Sequence, residues 1–191
     1  GRNDTTLRIY VAKGASGIIE EYTWNTTANS YTISQLPNLG DQFYTGPWVG
    51  KGRNDTTYRV YIGLSNGTAY ELTWNSTGWG IFNMGNIENF TIRGVSGGCG
   101  RNDSTIRVYF GGSGPNGGIY EFSWDTTHSN YTISKILDKP NISMRVPAIG
   151  YGRNDTTRRI YGYDKDTGDI WELTWNGTGW DELFVGRHGT G

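Results

Sequence analysis

Hydrophobic and polar residues alternate in short runs along most of this chain, and the runs come in four similar groups. The first run of each group reads "LRIYVA", "YRVYIG", "IRVYFG" or "RRIYGY". A glycine-containing turn and a second run that ends in Trp follow, as in "AYELTW". Alternation over four to eight residues is typical of a β-strand with one buried face. Since no window has the period of an amphipathic helix, the pattern predicts short strands joined by tight turns.

The tetrapeptide GRND marks a repeat of about 50 residues and starts at Gly1, Gly52, Gly100 and Gly152. Three strand-like runs follow each copy, and an apolar glycine-containing segment precedes all copies except the first. A repeat of about 50 residues with four strands is the signature of a β-propeller blade. We therefore predict an all-β fold with one propeller domain over residues 1–191. Its four four-stranded blades would span approximately 1–45, 46–93, 94–144 and 145–191.

The first and last repeats do not clearly supply, together, the strands that a closed ring needs. Repeat 1 lacks the leading apolar segment, and "LFVGRHGTG" stops before a new segment is complete. Either "LFVGR" closes the ring, or neighbouring chains supply the missing strand. The alternatives thus include a half-ring or a strand-swapped unit of a larger assembly. Because an unpaired strand edge favours association, we expect a homo-oligomer or an end-to-end assembly.

Composition narrows the function classes. The net charge is −1 and no basic block occurs, which argues against a nucleic-acid partner. No apolar run approaches the roughly 20 residues of a membrane-spanning helix. The single cysteine, Cys99, excludes an internal disulfide.

Candidate catalytic chemistry is sparse. The two histidines, His128 and His188, do not repeat, and we find no nucleophile elbow, phosphate loop or metal-spaced His/Cys cluster. We predict a non-enzyme without cofactor or metal. A glycosidase with paired carboxylates is an alternative, but acidic residues that recur once per repeat are typical of multivalent binding sites.

The RND turn has three interpretations. Asn and Asp bond to backbone two residues ahead and tolerate a positive φ, so a structural turn is the simplest. A calcium loop is a second, although each turn offers only one Asp, one Asn and two hydroxyls. The third is N-glycosylation, because 11 of the 16 asparagines head an N-x-[ST] sequon. They are Asn3, Asn25, Asn54, Asn66, Asn75, Asn89, Asn102, Asn130, Asn141, Asn154 and Asn176. If these are occupied, the protein is secreted or on the cell surface.

Three further positions recur in every repeat. An Arg precedes Ile/Val-Tyr, a Glu lies three residues before a Trp, and a second aromatic residue follows that Trp. The Arg and Glu pairs are Arg8 with Glu21, Arg59 with Glu71, Arg107 with Glu121, and Arg159 with Glu172. The second aromatic is Trp79 or Trp180 in the even repeats and Tyr31 or Tyr131 in the odd ones. An Arg–carboxylate pair and an indole suit a sugar, although cross-strand ion pairing alone also explains the charges.

The segment "YRVYIGLSNGTAYELTWNSTGW" resembles a blade of the fungal and bacterial fucose-binding propeller lectins of the Aleuria type. The match covers about 22 residues of each repeat and is better in repeats 2 and 4. The resemblance implies sugar sites between blades, where Arg and Glu bond hydroxyls and a Trp of the next blade stacks. It assigns the four Arg–Glu pairs to sugar binding, with Trp79 and Trp180 as stacking residues. Tyr31, Tyr131 and the RND turn depart from the family pattern.

Two functions are consistent with these patterns. The first is a multivalent, extracellular, lectin-like propeller with glycans as partners. The second is a structural, N-glycosylated surface or filament-forming propeller, in which the Arg–Glu pairs are only architecture.

Overall fold

The computed structural model of the chain describes residues 1–2, 4–153 and 155–189, and this part folds into four antiparallel sheets. Sheet 1 contains β1 (Arg8–Lys13), β2 (Ile18–Asn25) and β3 (Ser30–Gln35). Sheet 2 contains β4 (Trp48–Gly50), β5 (Arg59–Gly63), β6 (Thr68–Trp74) and β7 (Trp79–Asn86). Sheet 3 contains β8 (Thr91–Gly98), β9 (Arg107–Ser113), β10 (Gly118–Asp125) and β11 (Asn130–Asp138). Sheet 4 contains β12 (Ala148–Gly150), β13 (Arg159–Tyr163), β14 (Asp169–Trp175) and β15 (Trp180–Arg187).

The strands of every sheet follow one another as a meander, and each pairs with its neighbour in sequence. The prediction of an all-β fold is confirmed. Sheets 2, 3 and 4 have the four strands expected, whereas sheet 1 has three in the described part of the chain, because repeat 1 lacks the leading apolar segment. The number of blades in a complete ring stays a prediction.

The turns of the RND sequence have the geometry expected of a structural corner. Asn54 and Asn102 adopt left-handed φ values of 58° and 62°, which a short side chain tolerates. In the second repeat the Asp55 carboxylate accepts a hydrogen bond of 2.9 Å from the backbone N–H of Thr57. The other three turns repeat this bond. The turn interpretation is therefore confirmed for the described residues; Asn3 and Asn154 lie outside them.

Three hydrophobic clusters join neighbouring sheets in chain order. Val60 and Ile62 of sheet 2 pack against Ile19 and Leu36 from the first repeat. Equivalent clusters join sheet 2 to sheet 3 and sheet 3 to sheet 4. Among the described residues, none of these clusters joins sheet 4 to sheet 1. The segment "LFVGR" belongs to β15, which pairs with β14, so it does not close a ring with sheet 1.

Within the described residues, we find no helix with the length and hydrophobicity needed to cross a bilayer.

Because the cluster between sheets 2 and 3 is fully buried at its centre, we expect that shortening a side chain there lowers the free energy of unfolding strongly. Phe122 is fully buried there, so Phe122→Ala should lower the free energy of unfolding by about 3–5 kcal/mol. Ile133, on the neighbouring strand, is 38% exposed, and Ile133→Ala should cost less than about 1 kcal/mol. Urea unfolding of both variants measures the difference; equal costs would contradict this assignment of the core.

Candidate binding site at the sheet junctions

Each predicted Arg–Glu pair lies on one face of its sheet. Glu71 is the cross-strand partner of Tyr61, which lies two residues after Arg59, so the strand alternation brings Arg59 and Glu71 to the same face. The Arg Nε and Glu Oε atoms are 3.3 Å apart in this pair. The distances in the other three pairs are 3.7, 3.8 and 3.4 Å. The structure thus brings all four predicted pairs together.

The guanidinium of this strand Arg is already occupied by the Asp of the RND turn. Arg59 Nη1 and Nη2 each donate a 2.7 Å hydrogen bond to one oxygen of Asp55. The same two-bond arrangement recurs in the other three repeats. Bidentate Arg–carboxylate pairs are among the stronger charged contacts in proteins. The strand Arg therefore holds the turn against its sheet.

The Arg of the same turn binds the repeat's Glu. Arg53 Nε donates a 2.9 Å bond to Glu71 Oε2, and Arg53 Nη2 lies 2.6 Å from Glu71 Oε1. Arg2, Arg101 and Arg153 bind Glu21, Glu121 and Glu172 in the same way. All four glutamates are buried. The sequence did not reveal this role of the turn Arg: its fourfold recurrence made it a candidate partner of the Glu, but did not distinguish it from the strand Arg.

The turn Arg also stacks on the first Trp of the following sheet. The guanidinium carbon of Arg2 is 3.7 Å from the ring centroid of Trp74. Arg53 lies 3.8 Å from Trp124, and Arg101 lies 4.0 Å from Trp175. A guanidinium over an indole face is a favourable cation–π contact. These contacts place the turn Arg between adjacent sheets, with the Glu of one on its edge and the Trp of the next on its face.

The second aromatic positions also meet at the junctions. Trp79 makes edge contacts with Tyr10 of sheet 1 and with Trp74, at ring-centroid distances of 6.1 and 5.6 Å. Trp180 packs in the cluster between sheets 3 and 4. At the junction of sheets 2 and 3, the Tyr131 hydroxyl donates a 2.7 Å bond to Glu71. Burial raises the pKa of Tyr131, so its phenol keeps the proton that this bond uses.

Tyr31 is the exception. It is half-exposed and packs against Trp24 of its own sheet, because no sheet precedes sheet 1 in the described part of the chain.

The Asn of the turn binds the backbone of the following sheet. Asn54 Nδ2 donates a 3.1 Å bond to the carbonyl of Ile106, and Asn54 Oδ1 accepts a bond from the N–H of Ile106. Asn102 Oδ1 accepts a 3.2 Å bond from the N–H of Arg158. In the turns of the second and third repeats, the Arg, Asn and Asp side chains thus all have structural partners within the protein.

The predicted sequons stay predictions. Asn25 is half-buried, and the remaining described sequon asparagines are exposed. The latter are Asn54, Asn66, Asn75, Asn89, Asn102, Asn130, Asn141 and Asn176.

An open cleft remains beside the stacked Arg at the junction of sheets 1 and 2. Its volume is about 340 Å³, and its lining comprises Arg2, Asp4, Trp74, Asn75 and Ser76. An indole, a cation and a carboxylate thus line the same cleft. Such a combination can contact both the apolar face and the hydroxyls of a polar ring.

Comparison with known proteins identifies the architecture. No protein-family profile and no curated protein sequence matches the chain. Among solved structures, an Aleuria aurantia lectin mutant in complex with Fucα1-6GlcNAc matches with a TM-score of 0.56 and 18% identity, over 97% of this chain and 59% of that chain. SapL1 lectin in complex with α-methyl fucoside gives 0.54 and 17%, over 96% of this chain and 60% of that chain. AofleA from Arthrobotrys oligospora gives 0.58 and 18%, over 99% and 56%.

The chain has the fold of these lectins. One Aleuria aurantia lectin structure that matches, at 20% identity, is described as a six-bladed β-propeller. The resemblance stated from the sequence is therefore confirmed for the fold. This chain spans less than two thirds of the length of each lectin, and its sheets correspond to part of such a propeller.

The buried acid at each junction predicts a large stability effect. Glu71 is fully buried and binds Arg53 and Tyr131, so Glu71→Gln should lower the free energy of unfolding by about 3 kcal/mol. The matched control is Glu88→Gln, an exposed position that should change it by less than about 0.5 kcal/mol. Urea unfolding of both variants measures this, and near-wild-type stability of Glu71→Gln would contradict the network.

The turn carboxylates predict acid sensitivity. Hydrogen bonds from Arg159 lower the pKa of Asp155 to about 2, from an ordinary value of 3.8. A carboxyl with a lowered folded-state pKa stabilises the fold above its unfolded pKa, and this contribution is lost as the pH falls from about 4 to 2. Arg8, Arg59 and Arg107 also lower the pKa of the equivalent Asp. The free energy of unfolding should therefore fall in this pH range.

Urea titrations at a series of pH values test this pH dependence. Asp155→Asn should give a shallower fall than wild type, whereas Asp166→Asn, an exposed acid outside the turns, should keep the wild-type slope. Identical slopes for wild type and Asp155→Asn would refute the assignment.

Proposed function

We propose that this protein is a carbohydrate-binding, lectin-like protein without catalytic activity, and that it binds sugar at the junctions between adjacent sheets. The repeated cluster of Arg, carboxylate and Trp at these junctions carries the proposal. It occurs in a fold shared with proteins described as fucose-binding or fucoside-bound lectins.

The cleft at Arg2, Asp4 and Trp74 is the best-defined candidate site. Arg2 offers guanidinium N–H donors, and the Asp4 oxygens have lone pairs beyond those used by Arg8. Sugar hydroxyls both donate and accept, so they match this mixed pair. The Trp74 ring offers apolar area for the C–H face of a sugar. We therefore assign direct sugar contact to the turn and to the hairpin that follows Trp74.

The predicted Arg–Glu pairs would then not contact the sugar themselves but would position the residues that do. The sequence-based hypothesis gives Arg8 and Glu21 direct contact with hydroxyls. In the folded chain Glu21 is buried and bound by Arg2 and Tyr10, while Arg8 is bound by Asp4. The proposal assigns Arg8 and Glu21 to positioning the turn. The same reasoning applies to the pairs of the next two repeats.

The repeat supports a multivalent binder. We propose an equivalent site at the junction of sheets 2 and 3, where Arg53 stacks on Trp124 and Arg59 binds Asp55. We propose a third at the junction of sheets 3 and 4, where Arg101 stacks on Trp175. Several weak sites on one rigid body bind a multivalent glycan surface with avidity. We propose an extracellular setting, secreted or on the cell surface, where such glycans are displayed.

A structural role is the second candidate. It is favoured because each Glu is bound by the turn Arg, and both terminal nitrogens of each strand Arg are bound by the turn Asp, within the protein. In that case the sequons carry glycans, and the junction clusters serve only to join sheets.

Glycan binding by protein made in a host without N-glycosylation distinguishes the two functions. We expect signals for fucosides on a glycan array and measurable heat with α-methyl fucoside in a calorimetric titration. Trp74→Phe should weaken binding at its cleft by roughly three- to tenfold, because indole contact area is lost. Trp171→Phe, a tryptophan outside the clefts, is the matched control and should bind as wild type.

Two results would overturn the lectin proposal. One is a complete lack of array signals with folded protein, which would favour the structural role. The other is an equal loss of binding in Trp74→Phe and Trp171→Phe, which would remove the sugar from the junction.

A further inference from the structure

We infer that sheet 4 of one chain docks on sheet 1 of a second copy, in a junction built like the three inside the chain. This inference concerns assembly and does not depend on carbohydrate binding. It rests on two end surfaces whose residues occupy repeat positions that face a neighbouring sheet at the internal junctions. We call these surfaces the sheet-1 face (Ile9, Val11 and Trp24) and the sheet-4 groove (Val146, Ala148, Tyr161, Tyr163 and Ile170).

The sheet-1 face exposes positions that the other repeats bury. Ile9 occupies the position of Val60, which is fully buried against sheet 1. Val11 occupies the position of Ile62, also fully buried there. Ile9 and Val11 themselves are 52% and 41% exposed. The surface that joins sheets inside the chain thus has no sheet packed on it at sheet 1 among the described residues.

The sheet-4 groove is the complementary surface. It has a volume of about 450 Å³ and a largely apolar lining. Ala148 pairs with Tyr161 as Trp48 pairs with Tyr61 in sheet 2. Tyr61 and Trp48 pack against Val108 of the following sheet. By this equivalence, the groove receives Ile9 and Val11 of the second copy.

In the described part of the chain, Arg153 of the fourth turn has no Trp stacked on its guanidinium, unlike Arg2, Arg53 and Arg101. Three turn arginines stack on a Trp of the next sheet and are largely covered. The side chains of Arg2, Arg53 and Arg101 are 22%, 20% and 25% exposed. The Arg153 side chain binds Glu172 in the same way but is 49% exposed. The equivalent Trp that has no Arg above it in the described chain is Trp24, which is 45% exposed.

Arg153 and Trp24 therefore complement each other across two copies. Stacking Arg153 on Trp24 of the second copy reproduces the contact of Arg53 with Trp124. At the same time it aligns the apolar groove with Ile9 and Val11. Arg153 needs a Trp, and the sheet-4 groove needs two aliphatic residues. Sheet 1 of a second copy supplies both, because it carries Trp24, Ile9 and Val11 in the register that the internal junctions use. Such a head-to-tail contact closes into a ring or extends as a filament.

Mass in solution tests the junction. Sedimentation velocity of the wild-type chain over about 1–200 μM should show concentration-dependent species of two or more copies. Ile9→Lys should raise the dissociation constant by roughly tenfold or more, because it places a charge in the apolar groove. Ile81→Lys is the matched control, since Ile81 is a strand isoleucine with 48% exposure outside both surfaces. Thermal unfolding of both variants checks that each folds.

Cross-linking tests the register. In a Cys99→Ser background, Trp24→Cys protein mixed with Arg153→Cys protein should give a two-chain product with a short bismaleimide. Replacing the first variant by Ile81→Cys should abolish that product. A wild-type chain that stays monomeric over the whole range, or an Ile9→Lys variant that assembles as wild type does, would overturn the inference. So would equal cross-linking yields from Trp24→Cys and Ile81→Cys.

Discussion

The junctions of this fold depend on two Arg–carboxylate pairs in each repeat, which connect the RND turn to its sheet. The strand Arg binds the Asp of the RND turn, and the turn Arg binds the buried Glu of the sheet. A buried Glu without these partners would be costly, because desolvation opposes its charge. Because the strand Arg binds the turn and the turn Arg binds the sheet, the same two pairs neutralise the buried Glu and hold the turn in place. The position of the turn is therefore set by the sheet beneath it.

The fixed turn then reaches the following sheet. Its Arg lies over a Trp, its Asn bonds to backbone, and an apolar cluster below completes the contact. The three internal junctions share the stacked Arg and the apolar cluster. Stability in such a repeat protein is approximately a sum over sheets and nearest-neighbour contacts. The exposed surfaces at the two ends of the described chain are a direct consequence, because each sheet is shaped to meet a neighbour on both sides.

The same groups connect the fold to carbohydrate binding. An Arg, a carboxylate and an indole at a sheet junction are suited to a sugar, yet here the turn Arg lies on the indole and occupies the Glu. The proposed site is accordingly the cleft on the outer side of this cluster, and the inner groups support it. A structural network and a binding surface share residues, so substitutions in the inner groups affect both stability and recognition.

The strands, the four-fold repeat, the RND corner and the proximity of each strand Arg to its Glu could all be predicted from the sequence alone. These features depend on alternation, short-range turn chemistry and neighbouring strands, and all of them are local in the chain. Sequence could not assign the turn Arg, because either arginine of a repeat could pair with either of its acids. The sequence also did not specify that Arg2 stacks on Trp74 of the following repeat, 72 positions away. These contacts depend on how one sheet packs on the next, and that packing is visible only in the folded chain.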